Sequence, residues 1–328
     1  MARGRLLDRT SDEYRLIAGL ISSAHRTVGA TDSQWWNHRI GVLPRLSRIR
    51  SQVELDGTIS LHPRHVIAAL QRNGAGDLQA SRDASYEVVR QALRLAGPAE
   101  VKRTPDQPLD QALPVNERDL DQALTAYRAA EITQHAMAQN AMPYLGTPFE
   151  PTTHTVAVRG LVDRLAEACD RPRDGVADEL LRSPKHGRWI AAIAIVAESE
   201  RPGLLDAMEA EGLDLDLMEE HRAAGRQWAR LGAARPVTSP AAETSAYQIG
   251  RDTGGLLVVA GKGAADTGAA EFEELEAFES PVEEAAVREP SPAEVLGAQA
   301  PPGTASSGAV SGAAATHNAE RTDKHLGL

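Results

Sequence analysis

The chain has 328 residues, 46 acidic against 35 basic side chains, and a formal net charge of -11. That length allows one large domain or two smaller ones with a real core, and the acidic balance argues against a general nucleic-acid binder. Only 4% of residues are aromatic, so a core must be mostly Leu, Val, Ile and Ala, and the single cysteine, Cys169, excludes an intrachain disulfide and a cysteine-built zinc site.

No run approaches the ~18 apolar residues that would span a bilayer. The N-terminus, Met1 to Thr10, has arginines but no continuous apolar stretch after them, so no secretory signal is expected and a cytoplasmic protein follows. Ser11-Asp12-Glu13 opens a helical pattern through Tyr14, Ile17, Leu20 and Ile21 that fades near Gly29. Trp35-Trp36 follows, read as core or as an interface anchor, then an Arg-rich piece from Arg45 to Arg50. Gln52 to Leu61 alternates apolar and polar residues about Asp56-Gly57, which predicts a hairpin with both turn residues at positive φ. Pro63 begins a short helix with Val66, Ile67 and Leu70 on one face.

After the break at Gly74 to Gly76, Ser81 or Asp83 is expected to cap a helix running to about Ala96, with Val88, Val89, Ala92 and Leu93 on its apolar face and Gly97-Pro98 as its stop. Asn116 is expected to cap a long helix bearing Leu120, Leu124 and Tyr127 on one stripe. Further helices are predicted near Thr153 to Cys169, Asp174 to Leu181, Trp189 to Glu198, Leu204 to Glu211 and Leu215 to Leu231. Residues 1–231 thus read as a helix-rich α+β domain with a small sheet. From about Arg235 the chain is rich in Ala, Gly, Pro, Ser, Thr and Glu, and residues 232–328 read as a disordered acidic tail. Two apolar islands interrupt it, Gly255 to Ala260 and Glu271 to Glu279. In the second, Phe272, Leu275 and Phe278 recur at three-residue intervals among glutamates. Such an element suits docking of a protein partner with a basic, apolar groove, although chance apolar spacing in a solvated tail gives the same pattern.

Most informative is Val88-Val89-Arg90-Gln91-Ala92-Leu93-Arg94-Leu95-Ala96-Gly97-Pro98. Together with Gly57-Thr58-Ile59-Ser60-Leu61-His62-Pro63 before it and Asp121-Gln122-Ala123-Leu124-Thr125-Ala126 after it, this stretch resembles a zincin-like metallopeptidase domain of GC-rich bacteria over about a quarter of the chain. The family's active helix carries His-Glu-x-x-His, two imidazoles on one face with a water-activating Glu, and its next long helix supplies a third ligand. Here those positions read Arg90, Gln91 and Arg94, with only Asp121 still able to ligate. Guanidiniums stay protonated and offer only N–H donors, and Gln91 cannot take a proton from water. The resemblance therefore implies a scaffold without its zinc, and no bound cofactor. In that frame Arg90 and Arg94 face a cleft in which Asp121 can complete a buried ion pair, or the cleft takes an anion. Without that frame, Arg90, Gln91 and Arg94 are a solvated helix face with Glu87 pairing to Arg90.

The remaining signals are weak. Pro63 between His62 and His65 spoils their geometry for a metal. His135, His154, His186 and His221 read as surface or packing residues, and Cys169 as a buried thiol despite Arg171 and Arg173 nearby. Gly255 to Lys262 has the wrong spacing for a phosphate loop. The expectation is a non-catalytic zincin-like protein acting as a binding or regulatory module. A hydrolase with an unrecognised site and a phage-derived structural protein are the alternatives.

Overall fold

The structure, a computed structural model, describes residues 5–279 except 31–34, 73–76, 100–106, 145, 205 and 208–216; residues 218 and 269–279 are described by backbone alone. One compact unit takes in Met1–Ala277, and of the second, Phe278–Leu328, only Phe278 and Glu279 are described. Helix α1, Asp12–Thr27, is capped by the Ser11 hydroxyl and buries Ile17, Leu20 and Ile21. Three short strands follow, β1 (Ile40–Val42), β2 (Ser51–Val53) and β3 (Ile59–Leu61). The sheet order is β1-β3-β2, with β3 parallel to β1 and antiparallel to β2. The hairpin expected around Asp56-Gly57 is present, but only Gly57 takes positive φ, at 87°. The Gly57 N–H bonds to the Glu54 carbonyl and the Glu54 N–H to the Thr58 carbonyl, a three-residue loop closed by a left-handed glycine. β3 is therefore the central strand.

A π-helical turn, Pro63–Ile67, is capped by His62 and runs into α2, Ala68–Gln71. Helix α3, Leu78–Leu93, starts before the expected cap because Asp77 bonds the Ala80 N–H at 2.9 Å, which leaves Ser81 and Asp83 inside the helix. Helix α4, Val115–Gln139, begins at Pro114 and takes Asn116 into its first turn. Proline at that boundary loses no hydrogen bond, since the first N–H groups of a helix have no partner within it. Then come α5 (Thr153–Cys169), α6 (Arg173–Arg182), α7 (Arg188–Glu200) and α8 (Met218–Trp228). Most of the helix expected over Leu204 to Glu211 lies outside the described residues. The core runs from α1 and the sheet through α3 and α4 to α5, α6 and α7, where Trp189 and Trp228 meet edge to face at 5.6 Å.

The last element corrects the sequence reading. Residues expected to be tail from 232 onward include a 40-residue helix, α9, Pro240–Glu279. Leu257, Val258, Thr253, Ala264 and Ala265 on it are buried, so the island near Leu256 is one turn of a packed helix. Its glycines form the contact. A Cβ on Gly250 would lie 1.9 Å from the Ala157 carbonyl oxygen, and one on Gly160 of α5 would lie 2.3 Å from that of Tyr247. Farther along, a Cβ on Gly261 would meet Val196 of α7 at 2.5 Å. Glycine allows backbones to approach this closely. Arg251 of α9 adds a two-pronged ion pair to Glu167 at 2.7 Å, and the Tyr247 hydroxyl donates to Asp163 at 2.9 Å. Phe272, Leu275 and Phe278 fall on helical backbone, but their side chains lie outside the described residues.

Candidate functional site

Helices α3 and α4 pack side by side, and their facing residues bring two of the four expected cleft positions together. Arg94, the residue that ends α3, is 3% exposed, and its Nε donates to the Asp121 carboxylate at 2.7 Å. Arg94 also donates to Asp110, from a short 3-10 turn over Leu109–Gln111. Asp121 is fully buried and accepts two more cations, Arg188 at 2.6 Å and Lys185 at 3.4 Å. Lys185 reaches it because Gly97 lets the α6 C-terminus close on the end of α3: a Cβ there would lie 2.6 Å from the Leu181 and Ser183 carbonyl oxygens. The Lys185 N–H then bonds the Pro98 carbonyl at 2.9 Å.

The electrostatics follow from burial. Burial alone would raise the Asp121 pKa, but Lys185, Arg188 and Arg94 outweigh it and hold the carboxyl well below its usual range. Burial pushes Lys185 the other way, to about 7, helped by the like charges of Arg188 and Arg94 against the attraction of Asp121. One turn earlier on α4, Glu117 accepts from His221 at 2.8 Å, and burial raises its pKa. Beside Lys185 lies a cavity of about 10 Å³, room for about one water.

Arg90 and Gln91 are placed differently. Arg90 is part-exposed and pairs with Glu87 at 2.9 Å, as the solvated-face reading has it. Gln91 is buried and donates to the Ser51 hydroxyl at 2.8 Å, which donates in turn to Glu87 at 2.7 Å, tying α3 to β2. Four expected cleft residues thus divide into a buried ion pair, a helix-to-strand link and a surface pair. Sequence reasoning missed Asp110, Lys185 and Arg188. The last two lie 64 and 67 residues beyond Asp121, and no local pattern marks them.

Arg90 instead borders an open groove of about 580 Å³. Its floor is the α4 face of Asp119, Gln122, Ala123 and Ala126; Tyr86 and Arg90 of α3 form one side. The other side is Glu150, Thr152, His154 and Thr155 at the start of α5, with Gly232 to Ala234. The wall is rigid. Thr152 and Thr155 form a reciprocal capping box. The strand-like pairing of residues 151–153 with 235–237 uses Thr153 N–H to Arg235 at 2.8 Å and Val237 N–H to Pro151 at 3.0 Å. Arg82 and Tyr86 sandwich Phe149 at 4.3 and 4.4 Å. His154 is 6% exposed, rests against Trp228, and has its pKa lowered by burial against the pull of Asp119.

The minor candidates resolve structurally. The His62 Nδ1 accepts the Arg64 and His65 N–H groups, so this ring is a helix cap. Burial pushes the Cys169 thiol pKa up, not down. Trp36 is core, packed on His25 and His38. Gly255 to Lys262 is helical. Among the described residues no group of three or more His, Cys, Asp or Glu could hold a metal, and no helix is long and apolar enough to cross a membrane.

No protein-family model, curated protein or solved structure matches this chain.

Proposed function

We propose that the chain is a non-catalytic, zincin-like binding module that takes an extended peptide in the groove beside Arg90. The observation that carries this reading is the occupation of Asp121. The residue at the third-ligand position is buried and accepts from three cations, whose charge competes directly with that of a metal. Two features support a peptidase scaffold: the α3/α4 pairing, and Arg94 lying 2.7 Å from Asp121 where an imidazole and a third ligand would share zinc. The groove alongside retains what a peptide needs. Arg90, Asp119 and Glu150 offer both signs of charge, Gln122 offers donor and acceptor to a backbone, and Ala123 and Ala126 leave room for side chains.

The experiment is selection from a displayed library of unstructured peptides, with the whole chain as bait. The wild type is expected to enrich a sequence pattern, and Ala126→Trp, which fills the groove floor, is expected to abolish the enrichment. Selection of nothing, or equal selection by the filled variant, would remove the groove from the account.

A further inference from the structure

We propose that the loop joining β1 to β2 is a docking surface for a membrane leaflet carrying anionic headgroups. The loop is unusual in a chain of net charge -11: between Asp32 and Glu54 there is no acidic residue, while Arg39, Arg45, Arg48 and Arg50 are basic. Arg45, Arg48, Arg50 and the nearby Arg64 are exposed, and among the described residues none of these four forms an ion pair. Between them Leu46 stands 96% exposed and Ile49 48% exposed.

The loop is built to hold that display. The Ser47 N–H bonds the Pro44 carbonyl at 2.9 Å, a tight turn that puts Leu46 at its corner. The Ser47 hydroxyl accepts from the Ile49 N–H at 3.2 Å, fixing the next residues. Both ends are anchored by one buried residue. The His62 ring accepts at Nδ1 from the helix it caps, so its Nε2–H donates to the Arg45 carbonyl at 3.2 Å, and the His62 N–H donates to the Arg50 carbonyl at 2.8 Å. An ordered turn thus keeps a leucine in water, flanked by unpaired guanidiniums.

The chemistry of the tip selects its partner. Guanidiniums bind phosphate and carboxylate oxygens on any anionic surface. Leu46 and Ile49 gain nothing from a nucleic-acid backbone, and residues 43–50 contain no aromatic ring on which a base could stack. They do gain from the acyl boundary just beneath lipid headgroups. The acidic remainder of the chain is repelled by the same leaflet, which orients this loop toward it.

The test is cosedimentation of the full chain with phosphatidylcholine vesicles, alone or with about a quarter phosphatidylserine, at low salt. Pelleting is expected only with the anionic vesicles. Arg45→Gln, Arg48→Gln and Arg50→Gln together are expected to weaken it roughly fivefold per arginine, about a hundredfold in all. Leu46→Ser, equally exposed and harmless to the fold, is expected to weaken it with every arginine in place. Absence of pelleting with anionic vesicles would overturn the proposal, and so would pelleting that neither variant changes. Binding to a DNA duplex in the same buffer that survives Leu46→Ser, without vesicle binding, would reassign the loop to nucleic acid.

Discussion

Helices α4 and α9 are both locked against neighbours across buried contacts, and they use opposite means. At α4 the lock is charge: the buried Asp121 holds Arg94, Lys185 and Arg188. At α9 the lock is proximity: glycines bring its backbone against the carbonyls of α5 and the side chains of α7. A buried ion cluster contributes little net stability, because desolvation offsets attraction, but it makes the loss of any one partner expensive. A glycine contact has no such asymmetry of charge and is sensitive to volume alone. The first contact should respond to neutralisation and to pH, the second to a single methyl group.

The largest expected effect tests the charge lock. Asp121→Asn preserves shape and removes the counter-charge of three cations, so it should cost about 3–5 kcal/mol in denaturant melts at neutral pH. A loss below about 1 kcal/mol would mean that the cluster is not what holds α4.

The proximity lock has its own control within one helix. Gly250→Ala places a methyl against a backbone carbonyl that cannot move aside, and should cost about 1–3 kcal/mol. Gly263→Ala on the same helix meets nothing within 4 Å, and should stabilise by about 0.5–1 kcal/mol through helix propensity. Equal effects at the two positions would remove the distinction drawn between them.

A smaller effect sharpens the charge side. Lys185 titrates near 7 in the fold against its ordinary 10.5, so between those values the unfolded chain binds more protons. Stability should therefore rise with pH across that window. Lys185→Met should flatten the rise while leaving stability at pH 7 within about 1 kcal/mol of wild type, since Arg94 and Arg188 still balance Asp121. An unchanged slope would mean that Lys185 keeps its proton throughout.

How far the sequence revealed this depends on the range of each signal. The short-range patterns of α1, the Gly57 hairpin and α5 identified those elements, because caps, periodicity and a left-handed glycine act within a few residues. The pairing of Arg94 with Asp121 was only one of three arrangements the sequence allowed, beside an anion site and a solvated helix face. Lys185 and Arg188 were not legible, since only the tertiary approach allowed by Gly97 brings them in. The α9 glycines were misread for a physical reason. Composition rich in Gly and Ala signals disorder when the residues face water, but Gly250, Gly254, Gly261 and Gly268 recur at steps of four and seven residues, which puts them on one helical face. That spacing was the available clue.

Melting the purified chain with zinc, with a chelator, and with neither, alongside elemental analysis, tests most directly the proposal that Arg94, Lys185 and Arg188 stand around Asp121 in place of a metal. The account predicts one melting temperature in all three conditions and no stoichiometric metal. Stoichiometric zinc in the protein, with a melt that falls several degrees when it is stripped (the size of shift expected for losing ~1 kcal/mol or more), would contradict it.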